Sequence, residues 1–295
     1  MQNYVLSCCS TADLTAEHLK ERDIKYICFH FALDDKEYLD DLGATISYPD
    51  FYDSLRNGAE PRTWQINAEE YIEYFTPFLE NGQDIVHLCM SSGISGTYNS
   101  AIIAKEELKK EFPEREIYII DSLAASSGQG LFIDKLADLR DSGMSAKEVA
   151  DWAIANRLKL HHWFFATDLT FFIKGGRISK TSGIVGTLLG ICPLLNVNNQ
   201  GKLIARQKVR TKRKVIAEIV KKMEEHADGG LGYSGKCYIS NSSCREDAEA
   251  VASLIKEKFS SLNGDVIINS IGTTIGSHTG PGTVAVFFWG DERTE

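Results

Sequence analysis

The chain has 295 residues, 43% hydrophobic and 25% charged, with only 6 prolines and a formal net charge of −9 at pH 7. That length favours two domains of roughly 150 residues, each able to bury a core, and the ordinary composition excludes long disorder. The acidic balance argues against a general nucleic-acid binder, whose affinity needs a positive face, and leaves room only for a local basic patch.

In chain order, apolar runs at 4–9, 25–33, 84–90 and 115–120 read as strands. Between and after them, residues 67–81, 98–112, 126–141 and 145–160 carry apolar positions at three-and-four spacing and read as helices. Such alternation builds a parallel sheet covered on both faces, with functional loops at the carboxyl ends of its strands. Residues 32–66 break the rhythm with a charged, aromatic, turn-rich stretch too long for a plain connection, and they read as an inserted lid or subdomain. After about residue 160 come a strand at 161–166, a glycine-punctuated stretch, a hairpin around Asn199-Gln200-Gly201 and a helix at 211–226. Two strand-and-helix units follow, ending at 283–289. The fold class expected is α/β with two domains. Residues 1–160 form an N-terminal parallel-sheet domain carrying the insert, residues 161–295 form a C-terminal α+β domain, and a ligand cleft lies between them.

Seven cysteines (Cys8, Cys9, Cys28, Cys89, Cys192, Cys237 and Cys244) show no CxxC pair. Neither a disulfide framework nor a metal site follows, and buried reduced thiols are expected. The N-terminal sequence lacks a basic region followed by an apolar core, and no stretch reaches the roughly 18 apolar residues of a bilayer span. The reading is of a cytoplasmic protein without an integral membrane segment.

The most informative segment is 90–100 (MSSGISGTYNS), which follows a strand and opens a helix. Its glycines let backbone approach a ligand, and free N–H groups at a helix start favour an anion. A capped turn without ligand fits the same residues. In 275–282 (IGSHTGPG), a turn between two strand-like runs, three glycines and a proline hold His278, an imidazole able to donate to a carboxylate whose charge would favour the protonated ring. A merely exposed histidine is the plain alternative. Residues 171–179 end an apolar helix in glycines and present Arg177. Residues 208–214 place five cations in seven positions, suited to an anionic ligand or acidic partner, or to a solvated helix start. Residues 121–130 (DSLAASSGQG) form another strand-to-helix loop on the same sheet edge, where Ser122 or Ser126 could simply cap the helix.

Two enzyme signals compete. The stretch 230–237 (GLGYSGKC) has the glycine and lysine spacing of a phosphate-binding loop, but Cys237 replaces the required hydroxyl and a strand follows, so it is set aside. Residues 93–97 nearly match G-x-S-x-G, and Ser95, Asp121 and His278 occur in the chain order of an α/β-hydrolase triad. A serine hydrolase of acyl esters is therefore the alternative function, although the final glycine and an HGGG-type oxyanion loop are missing.

Taken together, SSGISGTYNSA, DSLAASSGQG, KGGRIS, KVRTKRK and IGSHTGPGT, in this order and spacing, resemble the DegV family of bacterial fatty-acid-binding proteins over essentially the whole chain. The resemblance implies an acyl chain buried in a tunnel and a carboxylate held at the domain boundary by Thr63, Ser95 and His278. Ser92, Gly93, Gly96, Thr97, Ser122 and Gly280 are then expected in the cleft wall. It further implies a long-chain fatty acid as ligand, no cofactor, no catalysis by the chain alone, and a separate ATP-dependent fatty acid kinase that forms an acyl phosphate for phospholipid synthesis. Arg177 and Arg210 match cations expected near the head group or the docking surface. Two positions depart from the family pattern: Trp64, in Thr63-Trp64-Gln65-Ile66, brings bulk to the pocket wall, and Cys192 stands where many relatives carry lysine.

Overall fold

The computed structural model of the protein describes residues 4–179 and 190–295. It opens with β1 (Tyr4–Cys9), α1 (Ala16–Glu21) and β2 (Ile24–Ile27), where the Thr15 side chain caps α1 by accepting from the His18 N–H. The insert follows as β3 (His30–Leu33), β4 (Lys36–Leu39), α2 (Tyr48–Arg56) and β5 (Pro61–Trp64). Next come α3 (Ala68–Glu80), β6 (Asp84–Cys89), α4 (Thr97–Glu111) and β7 (Ile117–Asp121). The first sheet has the order β2-β1-β6-β7 and is parallel throughout. All six residues of β1 are buried, as expected of a strand covered on both faces. From β1 the chain crosses to β2 on one side, whereas from β6 it crosses to β7 on the other. The loops after β1 and β6 therefore diverge and open a crevice at the carboxyl edge of the sheet.

Then come α5 (Ser127–Asp141), α6 (Ala146–Asn156), β8 (Leu160–Ala166), α7 (Thr170–Lys174), β9 (Ile191–Val197), β10 (Leu203–Arg210) and α8 (Lys212–His226). The chain ends with β11 (Tyr238–Asn241), α9 (Arg245–Lys258), β12 (Ile267–Ser270), α10 (Thr273–Thr279) and β13 (Thr283–Trp289). The second sheet has the order β10-β9-β8-β13-β11-β12, with only the β11–β12 pair parallel. Strand periodicity splits its side chains. Trp163 and Phe165 of β8, with Val284 and Val286 of β13, join Val215 and Ile219 of α8 in one core. Phe164, Ala166, Ala285 and Phe287 face the other way and share a core with α5 and the first sheet.

Helix α5 is what joins the two sheets. Nearly all of its first eleven residues are buried, and its glycines are the points of closest approach. A Cβ at Gly128 would lie 2.3 Å from His162 Nε2, and one at Gly130 would lie 2.6 Å from the Ala12 carbonyl oxygen. Larger residues would hold both sheets off the helix.

The structure corrects the sequence reading in several places. The expected strand at 25–33 is two strands in different sheets, because Ser10 Oγ takes the Phe29 N–H (3.1 Å) and Phe29 O takes the Asp40 N–H (2.8 Å), turning the chain out of the first sheet. The insert, by contrast, folds as the inserted subdomain its sequence suggests, with an antiparallel sheet β4-β3-β5 and α2 packed on Phe31 and Leu33. The helix expected to 160 stops at Asn156, whose side chain donates to the Trp152 carbonyl at 2.9 Å, and β8 begins at Leu160. Residues 273–279 are helical rather than a turn. Gly276 allows this, since a Cβ there would lie 2.6 Å from Tyr52 Oη. Part of the glycine-punctuated stretch, 180–189, lies outside the described residues. No helix among the described residues is long and apolar enough to cross a membrane.

Candidate functional site

A cavity of about 550 Å³ lies between the crevice of the first sheet and the inner face of the second. Its floor is built from alternate residues of adjacent strands, including His162 and Phe164 of β8, Ala285 and Phe287 of β13, and Val197 of β9. Those strands pair so that Ala285 lies opposite Phe164 and Phe287 opposite His162. The small Ala285 leaves the groove open between two aromatic rings. The volume lies within the range of about 300–1,000 Å³ usual for small-molecule sites, and the lining is mostly apolar.

One end is polar. Thr63 at the end of β5, Ser95 in the loop after β6 and His278 in the last turn of α10 all line this cavity. Thr63 Oγ1 lies 2.7 Å from His278 Nε2, and Ser95 Oγ accepts from the Thr97 N–H at 3.2 Å. His278 Nδ1 is buried without a partner among the described residues, facing Gly175, where a Cβ would lie 2.2 Å from it. Burial, with a smaller contribution from Arg177, pushes the His278 pKa down to about 4. The expected protonated imidazole is thus neutral near pH 7 until an anion arrives to raise its pKa.

Arg177 also lines the cavity. Its guanidinium donates to Gly175 O (2.6 Å) and Ile94 O (3.1 Å), and no carboxylate pairs with it among the described residues. Burial lowers its pKa, and a half-buried guanidinium bound only to carbonyls still seeks an anion. Arg210 lies elsewhere, exposed at the end of β10 beside Lys212, which pairs with Asp247 at 2.9 Å. Cys192 is buried on β9 outside the cavity lining.

Of the expected wall residues, Gly96 lines the cavity, close enough to Gln65 that a Cβ would lie 2.5 Å from its Oε1. The others support it from behind. Ser92 donates to Asp121 at 2.5 Å, Thr97 Oγ1 meets Tyr71 Oη at 2.9 Å, and Ser122 turns to the Ala124 carbonyl. Gly93 abuts the hairpin at Gln200 and Gly201, where a Cβ would lie 2.5 Å from the Gln200 oxygen, and Gly280 lies against Phe171. Trp64 lines the cavity and stacks on His30 at 5.6 Å. The apolar floor went unnamed in the sequence. Its period-two pattern was visible in 161–166 and 283–289, but which face would meet a cavity was not.

The hydrolase triad does not assemble. Asp121 is engaged by Ser92 and by the Leu123 N–H at 3.1 Å, and His278 bonds Thr63 rather than Ser95. All seven cysteines are free, five of them buried.

Comparison with known proteins agrees with this architecture. The family model described as "Uncharacterised protein, DegV family" matches residues 9–291. A DegV domain-containing protein of Clostridium perfringens is 38% identical over 293 residues, covering 99% of each chain. A protein of Thermotoga maritima named as a fatty acid-binding protein is 31% identical over 280 residues, covering 93% of each. The structure of a DegV family protein from Thermus thermophilus, described for its fatty acid binding, superimposes with a TM-score of 0.87 at 26% identity, covering 99% of this chain and 100% of that one. With a family model spanning nearly its whole length and relatives matched end to end, the chain belongs to the DegV family.

Proposed function

We propose that this protein binds a long-chain fatty acid, with the tail along the second sheet and the carboxylate held by Thr63, Ser95 and His278. The observation that carries this reading is the polarity of the cavity. An apolar floor leads to one end where two hydroxyls, an imidazole and the carboxylate-free Arg177 gather. Burying about sixteen carbons at roughly 0.8 kcal/mol per CH₂ supplies near 12 kcal/mol before the costs of association. The tail supplies affinity. An unpartnered carboxylate would cancel much of it, so the polar end supplies selectivity for an acid.

In this reading the chain is a carrier that presents the carboxyl group to a separate kinase, which brings ATP and forms the acyl phosphate. The exposed cations Lys208, Arg210, Arg213 and Lys214, clustered on an acidic protein, support an acidic docking partner. Denaturing extraction of the purified protein followed by lipid mass spectrometry tests the first claim: a stoichiometric long-chain acid is expected, and a lipid-free protein that also fails to take up added fatty acid would refute it. The second is tested by acyl phosphate formation with a fatty acid kinase, which should depend on this chain and fall with Arg210→Glu.

A further inference from the structure

Away from the cavity, three metal-ligating side chains from distant parts of the chain meet at one point. His161 of β8 shares a face with Trp163 and Phe165 and so turns toward α8, away from the cavity floor. His226 is the last residue of α8, and Asp291 follows the end of β13. His161 Nε2 lies 2.8 Å from Asp291 Oδ1, and His226 Nδ1 lies 3.2 and 3.3 Å from the two oxygens of the same carboxylate. One donor atom from each residue lies within 4.8 Å of both others. Main-chain bonds fix this meeting: the Asp291 N–H donates to the His226 carbonyl at 3.1 Å, and the Gly290 N–H donates to that of Lys159 at 2.8 Å. Gly290 permits the approach, because a Cβ there would run into the His226 carbonyl oxygen. The rings are braced as well, His161 against Phe288 with centroids 5.2 Å apart and His226 against Trp163 at 5.5 Å.

A carboxylate between two imidazoles can simply accept both ring N–H groups. Three features favour a cation in their place. Donors bound at about 2.0–2.1 Å to a tetrahedral zinc stand roughly 3.3 Å apart, and the separations here are already close to that spacing. His226 ends a 15-residue helix, whose last carbonyls carry the partial negative charge that attracts a cation. The site also opens to solvent, since the side chains of Asp291 and His226 are 61% and 31% exposed above a buried His161. Each neutral imidazole can keep its one proton on the nitrogen turned away from the ion, Nδ1 of His161 and Nε2 of His226. Two nitrogens and one carboxylate suit zinc and its neighbours rather than magnesium or calcium, which take oxygen ligands. Three protein ligands leave a fourth position for water.

We propose that His161, His226 and Asp291 form a binding site for a divalent transition-metal cation of the zinc class, separate from the fatty-acid cavity. A bound ion would tie β8, the end of α8 and the segment after β13 to one another. The test uses the full-length, tag-free protein, with zinc competed against a chromogenic chelator and cobalt as the spectroscopic probe. The parent should take up one zinc ion per chain with a dissociation constant of about 1 μM or tighter, undisturbed by magnesium in excess. His226→Gln and Asp291→Asn should each weaken it by more than the about 10–100-fold that loss of an outer-shell partner costs. Neither residue lines the cavity, so both variants should keep the parent's fatty acid binding. Cobalt in the parent should show the visible d–d bands of a tetrahedral nitrogen and oxygen site, a result that needs no variant. A parent that takes up no zinc, an affinity unchanged in either variant, or a cobalt spectrum with a thiolate charge-transfer band, which would place the ion on cysteine, each overturns the proposal.

Discussion

Thr63 Oγ1 and His278 Nε2 lie 2.7 Å apart although 215 residues separate them in the chain. The contact joins the insert to the last helix, so it forms only when β5 and α10 have packed. When Nε2–H donates to the hydroxyl oxygen, the hydroxyl proton is free for a carboxylate. Thr63→Val keeps the shape and removes that donor. Fatty acid affinity is expected to fall about 10- to 100-fold, corresponding to roughly 1.5–3 kcal/mol for a charged hydrogen bond, and Ser95→Ala should act in the same direction. Displacement titration measures both, and unchanged affinity in the two variants would remove these residues from the carboxylate site.

Gly175 caps α7 with an ordinary φ of −75°, so alanine there meets no backbone strain. Its Cβ would instead lie 2.2 Å from His278 Nδ1. Gly175→Ala should therefore push the imidazole away from Thr63 and lower fatty acid binding while far-UV circular dichroism stays that of the parent. Parent-like binding would show that the imidazole position is immaterial.

The pKa of His278, pushed down to about 4 from 6.5, carries a stability consequence. Between these values the unfolded chain binds the proton and the ligand-free folded chain does not. This residue's contribution is therefore complete above about 6.5 and is lost as pH falls through the window, by up to about 3 kcal/mol. His278→Gln abolishes the titration. Urea denaturation of both proteins from pH 7.5 to 4 should show the variant gaining on the parent as pH drops, and a constant difference would contradict a buried neutral imidazole.

Arg293 is buried and donates to four carbonyls, those of Val197, Asn198, Leu123 and Arg157. Burial pulls its pKa down to about 10. The residue ties the loop after β7 to the end of β9, whose Val197 lines the cavity. Arg293→Met leaves those carbonyls short of donors and should cost about 3 kcal/mol or more, seen as a lower urea midpoint. A loss below about 0.5 kcal/mol would mean water replaces the guanidinium without penalty.

Much of this was legible in the residues. The strands 4–9 and 84–90 and the helices 67–81 and 98–112 stand within a residue or so of their expected ends, because periodicity and caps such as Asn67 are local signals. The missed boundaries have non-local causes. Ser10 draws Phe29 out of a strand that its own sequence would continue, and Gly276 lets the last helix pack against Tyr52 of the distant insert. His162 was passed over because a histidine inside an apolar strand has no signature separating a satisfied core residue from one on a cavity wall.

By itself, the sequence settled the β-α alternation, the position of the insert, and the loops at which glycine and serine meet a helix start, since each depends on neighbours a few positions away. Only the tertiary structure decided that alternate residues of β8 and β13 floor a cavity, and that Arg177 lies in its wall while Arg210 stands outside. A strand's pattern states which side chains share a face, but what that face meets depends on how α5 spaces the two sheets, through contacts between residues far apart in the chain.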